Sequence, residues 1–210
     1  MKQVSYLLVL CLLMLMSCKQ EKIKYELIPA LTDKGINAVI EIPAGTNHKA
    51  EYDYDSGEFV VEIRNGKKRV VDFVPYVGNY GFIPSTYMDP AIGGDGDALD
   101  VLVISESVPS GTVMEVIPIA TLQLIDDKEI DTKLIAVPVD TSLQVINATD
   151  FMTFTLKYNA AQQIIQNWFL NYKGPGITEM KGWKDERHAM SEVKKWLVKK
   201  EAKKEATTEK

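Results

Sequence analysis

From residue 36 onward the chain reads as short apolar runs separated by Gly, Pro, Asn and Asp. In "INAVIEIPAG" apolar and polar residues alternate, the period of a strand with one covered face. "GEFVVEIRNGKKRVVDFV" sets two β-rich runs around Asn65-Gly66, the pair that best tolerates a type I′ turn, and predicts a hairpin. "DALDVLVIS", "GTVMEVIPIATLQLID" and "TKLIAVPVD" follow as further strands. Many short strands with regular turn signals predict a closed or nearly closed β-barrel.

The period changes late in the chain. In "NAAQQIIQNWFLNYKG", Ile164, Ile165, Trp168, Phe169 and Tyr172 recur at helical spacing, and Gly174 stops the segment. In "DERHAMSEVKKWLVKK", Ala189, Val193, Trp196 and Leu197 form one stripe behind Asp185, a good N-cap. Two C-terminal helices are therefore predicted. The fold class is α+β, mainly β. The end, "KKEAKKEATTEK" (residues 199–210), loses the stripe and reads as a solvated charged tail.

The start has a different pattern. "MKQVSYLLVLCLLMLMSC" places an apolar run after Lys2, too short to span a bilayer comfortably, so residues 1–17 read as an export signal. Its end, "LMSC", resembles the bacterial lipobox, which makes Cys18 the expected lipidated N-terminus of a membrane-anchored lipoprotein on the periplasmic or cell-surface side of a bacterial envelope. Residues 18–36 are polar and of mixed charge and read as a tether; residues 37–198 form the domain.

Composition adds limits. With 210 residues, 46% of them hydrophobic, the chain can bury one core. The two cysteines are Cys11 and Cys18, so the domain has no thiol and depends on packing alone. Removing residues 1–17 takes away one lysine and no acid, moving the net charge from −5 to −6. That balance argues against a nucleic-acid partner.

The candidate chemistry begins in "GGDGDALDVLVIS", where Asp95, Asp97 and Asp100 crowd the mouth of a strand. Repelling carboxylates are held together by a divalent cation, and oxygen-only ligands favour Mg²⁺ or Mn²⁺ over Zn²⁺. Asp95 and Asp97 share parity; Asp100 joins them only through a bend, which Gly93, Gly94 and Gly96 permit. A solvated acidic turn is the plain alternative. An EF-hand calcium loop fits poorly, because Leu99 sits where a ligand belongs and the flanks read as strand. Asp126, Asp127, Glu129, Asp131 and Lys133 lie beside the next strands, and Glu41, Lys49, Glu51, Tyr76, Tyr80, Tyr172 and Lys173 complete the pool. Acids for metals together with cationic and tyrosine donors describe a site for a highly charged phosphate. His48 and His188 lack ligand-spaced partners and read as surface residues, and Trp168, Trp183 and Trp196 as packing.

At these residues the sequence resembles the family I soluble inorganic pyrophosphatases, over about residues 38 to 197. "DGDALDVLV" fits their Asp-x-Asp-x-x-Asp signature, and "EIPAGTNHKAEYD", "KRVVDFVPYVGNYGFIP", "DDKEIDTKLIAVP", "WFLNYKGPG" and "KGW" follow the family's order. The resemblance implies a closed five-stranded OB-like β-barrel with a flanking hairpin, Mg²⁺-dependent hydrolysis of diphosphate, and a homo-oligomer. It implies Asp95, Asp100 and Asp131 as ligands of two activating metals, with Asp100 shared. Asp97 becomes the general base, and Asp126 and Glu41 hold further metal. Lys49, Arg69, Tyr80, Lys133, Tyr172 and Lys173 grip phosphate, with Glu51 and Tyr76 in support. Spacing near Arg69 is about one residue short, so Lys68 is a rival for its role. Competing functions are a metal phosphohydrolase acting on an organic phosphate or polyphosphate, and a non-catalytic Ca²⁺- or phosphate-binding module.

Overall fold

The structure, a computed structural model, describes residues 22–126 and 129–198. It is mainly β, with ten strands: β1 (Ile36–Ile42), β2 (Ala50–Asp53), β3 (Glu58–Val61), β4 (Ile63–Arg64), β5 (Lys67–Lys68), β6 (Asn79–Phe82), β7 (Asp100–Val103), β8 (Val113–Asp126), β9 (Glu129–Pro138) and β10 (Thr178–Asp185). Three α-helices, α1 (Phe151–Lys157), α2 (Asn159–Asn171) and α3 (Glu186–Trp196), cover it.

β1 pairs with β6, β6 with β7, β7 with β9, β9 with β8, and β8 with both β1 and β10. Only the β7–β9 pairing is parallel. The long β8 makes this possible. Its first residues lie against β1, Val113 opposite Val39 and Val116 opposite Ile36, and its last against β10, Asp126 opposite Thr178. A register shift between Pro118 and Ala120 separates the two halves, as expected where a proline cannot donate to the ladder.

Strand alternation divides the core. Val101 and Val103 pack with Leu134, Ala136 and the α3 stripe of Ala189, Val193 and Trp196. Leu102 faces the other way, with Ile135, Val137 and the α2 residues Ile165, Trp168 and Phe169. "VLV" and "LIAV" are continuous apolar runs because both their faces are covered. Gly81 in β6 allows β1 to approach: a Cβ there would lie 1.9 Å from the Val39 carbonyl oxygen.

Several expectations change. There are three helices, not two. α1 is seven residues long with only Phe154 buried, too short for a helical period to show, and its start is fixed by Asp150, which accepts from Thr153 N at 2.7 Å. β10 was not read as a strand; the glycine and charges of "TEMKGWKD" hide it, and Gly182 has φ 139° at its register shift. The single hairpin becomes two. β3 folds back on β2 across a turn in which Asp53 accepts from Asp55 N and Ser56 N, both at 2.9 Å, leaving only β4 and β5 around Asn65-Gly66. Ile164 is exposed, because four residues suffice to seat α2. The predicted Asp185 cap is present, accepting from His188 N at 3.0 Å. In the stretch read as tether, Tyr25 and Ala30 are buried, Tyr25 between the rings of Tyr52 and Phe59.

Candidate active site

The acid-rich loop before β7 is held from behind. Gly96 N donates to the Met88 carbonyl and Met88 N to the Asp97 carbonyl, each at 2.8 Å. Gly96 has φ 88°, and a Cβ on Gly94 would lie 2.2 Å from the Met88 backbone. This bend is what turns Asp95 and Asp97 toward Asp100. All three line a cavity of about 300 Å³ with Glu41, Lys49, Glu51 and Tyr80. Tyr52 and Tyr54 line it too; sequence reasoning missed both, since nothing in "EYDYD" separates them from strand-forming aromatics.

A second cavity, of about 610 Å³, is lined by Lys68, Arg69, Tyr172 and Lys173. The remaining candidates stand between the two. Lys133 on β9 lies opposite Asp100 in the parallel ladder. Its ammonium pairs with Asp100 and, at 2.6 Å, with Asp131, two residues earlier on the same face. Asp126 at the end of β8 pairs with Lys173. Tyr76 packs on Tyr80 at 5.4 Å and on Trp168 at 4.5 Å, and Trp168 stacks on Tyr172 at 4.6 Å.

Lys49 contacts Glu51 and lies 3.5 Å from Glu62. Arg69 pairs with the same Glu62 at 2.5 Å. Glu62 is therefore the residue that holds both cations, and sequence reading overlooked it because its partner in the hairpin was misassigned. His188 is not a surface residue: it is half-buried, with Nδ1 3.0 Å from Thr121 Oγ1. The three tryptophans pack as expected, Trp168 donating to the Val74 carbonyl at 2.9 Å.

Electrostatics follow from crowding and burial. Burial pushes Asp97 above the usual carboxylate range, helped by the charges of Asp95, Asp100 and Glu51. Asp131 is raised by burial, against the opposing pull of Lys133. For Lys133 burial acts downward, but Asp100 and Asp131 outweigh it and keep the amine charged. Burial also lifts the Tyr80 hydroxyl well above its ordinary value and Tyr172 to about 12, so both stay protonated donors.

Glu41 is raised from 4.5 to about 8, first by burial and then by Asp100 and Glu51, although Tyr52 N donates to it at 2.7 Å. Between those values the folded protein holds a proton that the unfolded chain has lost, so stability falls as pH rises through that window. With divalent cations removed by EDTA, the urea midpoint should decline from about pH 5 to about pH 8, and less steeply in Glu41→Gln. Identical slopes in the two proteins would clear Glu41 of the effect.

Among the described residues, no three acids, histidines or cysteines form a ready-made metal cluster. Lysines stand between the acids instead. The donor set nevertheless fits a hard divalent cation: it is all oxygen, its carboxyls repel one another, and buried Asp126 Oδ1 has no hydrogen-bond partner.

Residues 38–201 match the model of the inorganic pyrophosphatase family. The chain belongs to that family. It is 38% identical over 169 residues to the inorganic pyrophosphatase of Aquifex pyrophilus, covering 77% of this chain and 87% of that one. Similarity to the enzyme of Neisseria meningitidis serogroup B is 33% over 177 residues, 80% of this chain and 90% of that one. The crystal structure of the Thermus thermophilus enzyme superposes with a TM-score of 0.71 at 29% identity, over 84% of this chain and 97% of that chain. The chain is thus a pyrophosphatase, a hydrolase that splits diphosphate into two phosphates.

Proposed function

We propose that the two cavities divide the work of diphosphate hydrolysis between acids and cations. Asp95, Asp100 and Asp131, with Asp126 and Glu41, would hold divalent cations, magnesium first and manganese or others in its place. When bound, such ions supply positive charge to the substrate and make water more acidic. Asp97 accepts the proton of the attacking water. Its raised affinity for protons and its place on the cavity wall, apart from the lysine pairs, support that role. Lys49, Arg69, Lys133 and Lys173 neutralise the phosphate oxygens, and the hydroxyls of Tyr80 and Tyr172 donate to them. Glu51 and Tyr76 keep Lys49 and Tyr80 in place. Arg69 is preferred over Lys68 because Glu62 orders it, whereas Lys68 is exposed. We read the strand pairings as the closed five-stranded OB-like barrel of the family, with β10 added outside.

The observation that carries this reading is the Lys133 ammonium between Asp100 and Asp131. A cation already belongs there, and the acids that hold it belong together. A phosphate-release assay on protein lacking residues 1–18 should show hydrolysis of diphosphate that depends on Mg²⁺. Millimolar Mg²⁺ should also raise the melting temperature, because it binds only the folded state. The same rise in Asp100→Asn would put the ion elsewhere.

We further propose that the chain is a lipoprotein anchored through Cys18 on the outer side of a bacterial membrane. Cys18 and the signal lie outside the described residues; the support is the "LMSC" pattern and the polar chain that follows it. Labelled palmitate should enter the wild type and not Cys18→Ala. Equal labelling of both would exclude this anchor.

A further inference from the structure

The β4–β5 hairpin pairs with no other strand. Asn65 and Gly66 close it with φ of 52° and 72°, the left-handed pair that a two-residue turn requires. Neither of its strands buries a side chain. Apolar packing therefore does not explain a segment that carries three cations, Arg64, Lys67 and Lys68, in five residues. It does have a position: Arg64 and Lys68 line the 610 Å³ cavity together with Arg69, Tyr172 and Lys173.

The cations of that cavity fall into two sets. Arg69 is paired with Glu62, and Lys173 with Asp126. Arg64 and Lys68 make no ion pair among the described residues, and Asp72 is the one carboxylate on the wall. The paired set belongs to the residues assigned to diphosphate. The unpaired set lies on the same wall and adds positive charge where a two-phosphorus substrate leaves none to neutralise. A linear chain held by its terminal group beside the acid cavity would extend its remaining phosphoryl groups past Lys173 toward the hairpin.

We propose that Arg64 and Lys68 form a further anion subsite that receives the third phosphoryl group of a linear inorganic oligophosphate, making tripolyphosphate a second substrate. The inference rests on the assignment of the two cavities given above. The water oxygen bonds to the terminal phosphorus and its proton passes to Asp97. The bond from that phosphorus to the bridging oxygen breaks, and the bridging oxygen leaves with the electron pair as part of diphosphate. Tripolyphosphate and water thus give diphosphate and phosphate, and a second water completes three phosphates. An organic diphosphate is disfavoured because one face of the Tyr172 ring is already covered by Trp168, stacked at 7° between planes.

The test compares phosphate release from diphosphate, tripolyphosphate and ATP by the wild type, Arg64→Glu and Arg64→Lys. Arg64→Glu should raise the KM for tripolyphosphate roughly tenfold or more, the scale of one charge-assisted contact, and leave the KM and kcat for diphosphate unchanged. Arg64→Lys should restore most of the difference, and added salt should reduce it. Equal effects on both phosphate chains, or none on either, would overturn the subsite. ATP cleavage with the same dependence on Arg64 would overturn the inorganic assignment. A wild type inactive on diphosphate would instead defeat the reading on which the proposal rests.

Discussion

Asp97→Asn should lower kcat for diphosphate about 10²- to 10⁴-fold, the usual cost of losing a general base, while the urea midpoint stays close to that of the wild type. The two halves of this expectation have separate causes. The amide cannot take a proton, so the chemical step loses its acceptor. The fold does not depend on the carboxylate: Asp97 holds its loop through its backbone carbonyl, which accepts from Met88 N, and its N–H donates to the Asp95 side chain at 3.0 Å. Removing a charge that Asp95, Asp100 and Glu51 all repel should, if anything, relieve the cavity. Rate measurements at saturating diphosphate and Mg²⁺ separate a lost base from weakened binding, because KM then stays within a few-fold. Near-normal kcat in this variant would remove Asp97 from the role.

Most of the site was legible in the sequence because its residues sit at positions that strand parity and turn chemistry constrain. Asp131 and Lys133 share a face by being two apart, and "GGDGD" announces a bend before a strand. The barrel strands were legible for the same reason, since runs such as "DVLV" and "KLIAV" have no other way to bury both faces. What failed was pairing. "EFVVEIRNGKKRVV" contains a sound hairpin turn, and the chain uses it, but Gly57 and Asp53 make a competing turn first and capture the longer run. Glu62 was lost with that misassignment, although it orders Lys49 and Arg69. β10 escaped because half its residues are polar and exposed, so its only signal is its fit against β8. Tertiary pairing overrides local pattern at such places.

The second large effect is expected at Lys133. Its side chain is 7% exposed, and its ammonium faces Asp100 and Asp131, whose side chains are 25% and 16% exposed. Lys133→Met keeps the length and removes the charge, leaving two carboxylates together at the edge of the core. Losing one partner of a buried ion pair costs about 3–5 kcal/mol, and the partial exposure of the acids favours the lower end. In EDTA the melting temperature should therefore fall by roughly 6–12 °C for a domain of this size. The penalty should shrink at low pH, where the two acids can protonate, and grow as pH rises. Mg²⁺ should then stabilise the variant more than the wild type, because the acids no longer have an ammonium to neutralise them. Activity should not return with the fold, since the group that meets the phosphate oxygens is gone. A variant that melts like the wild type in EDTA would mean that the two acids tolerate each other unaided, and the lysine's place between them would then owe nothing to their repulsion.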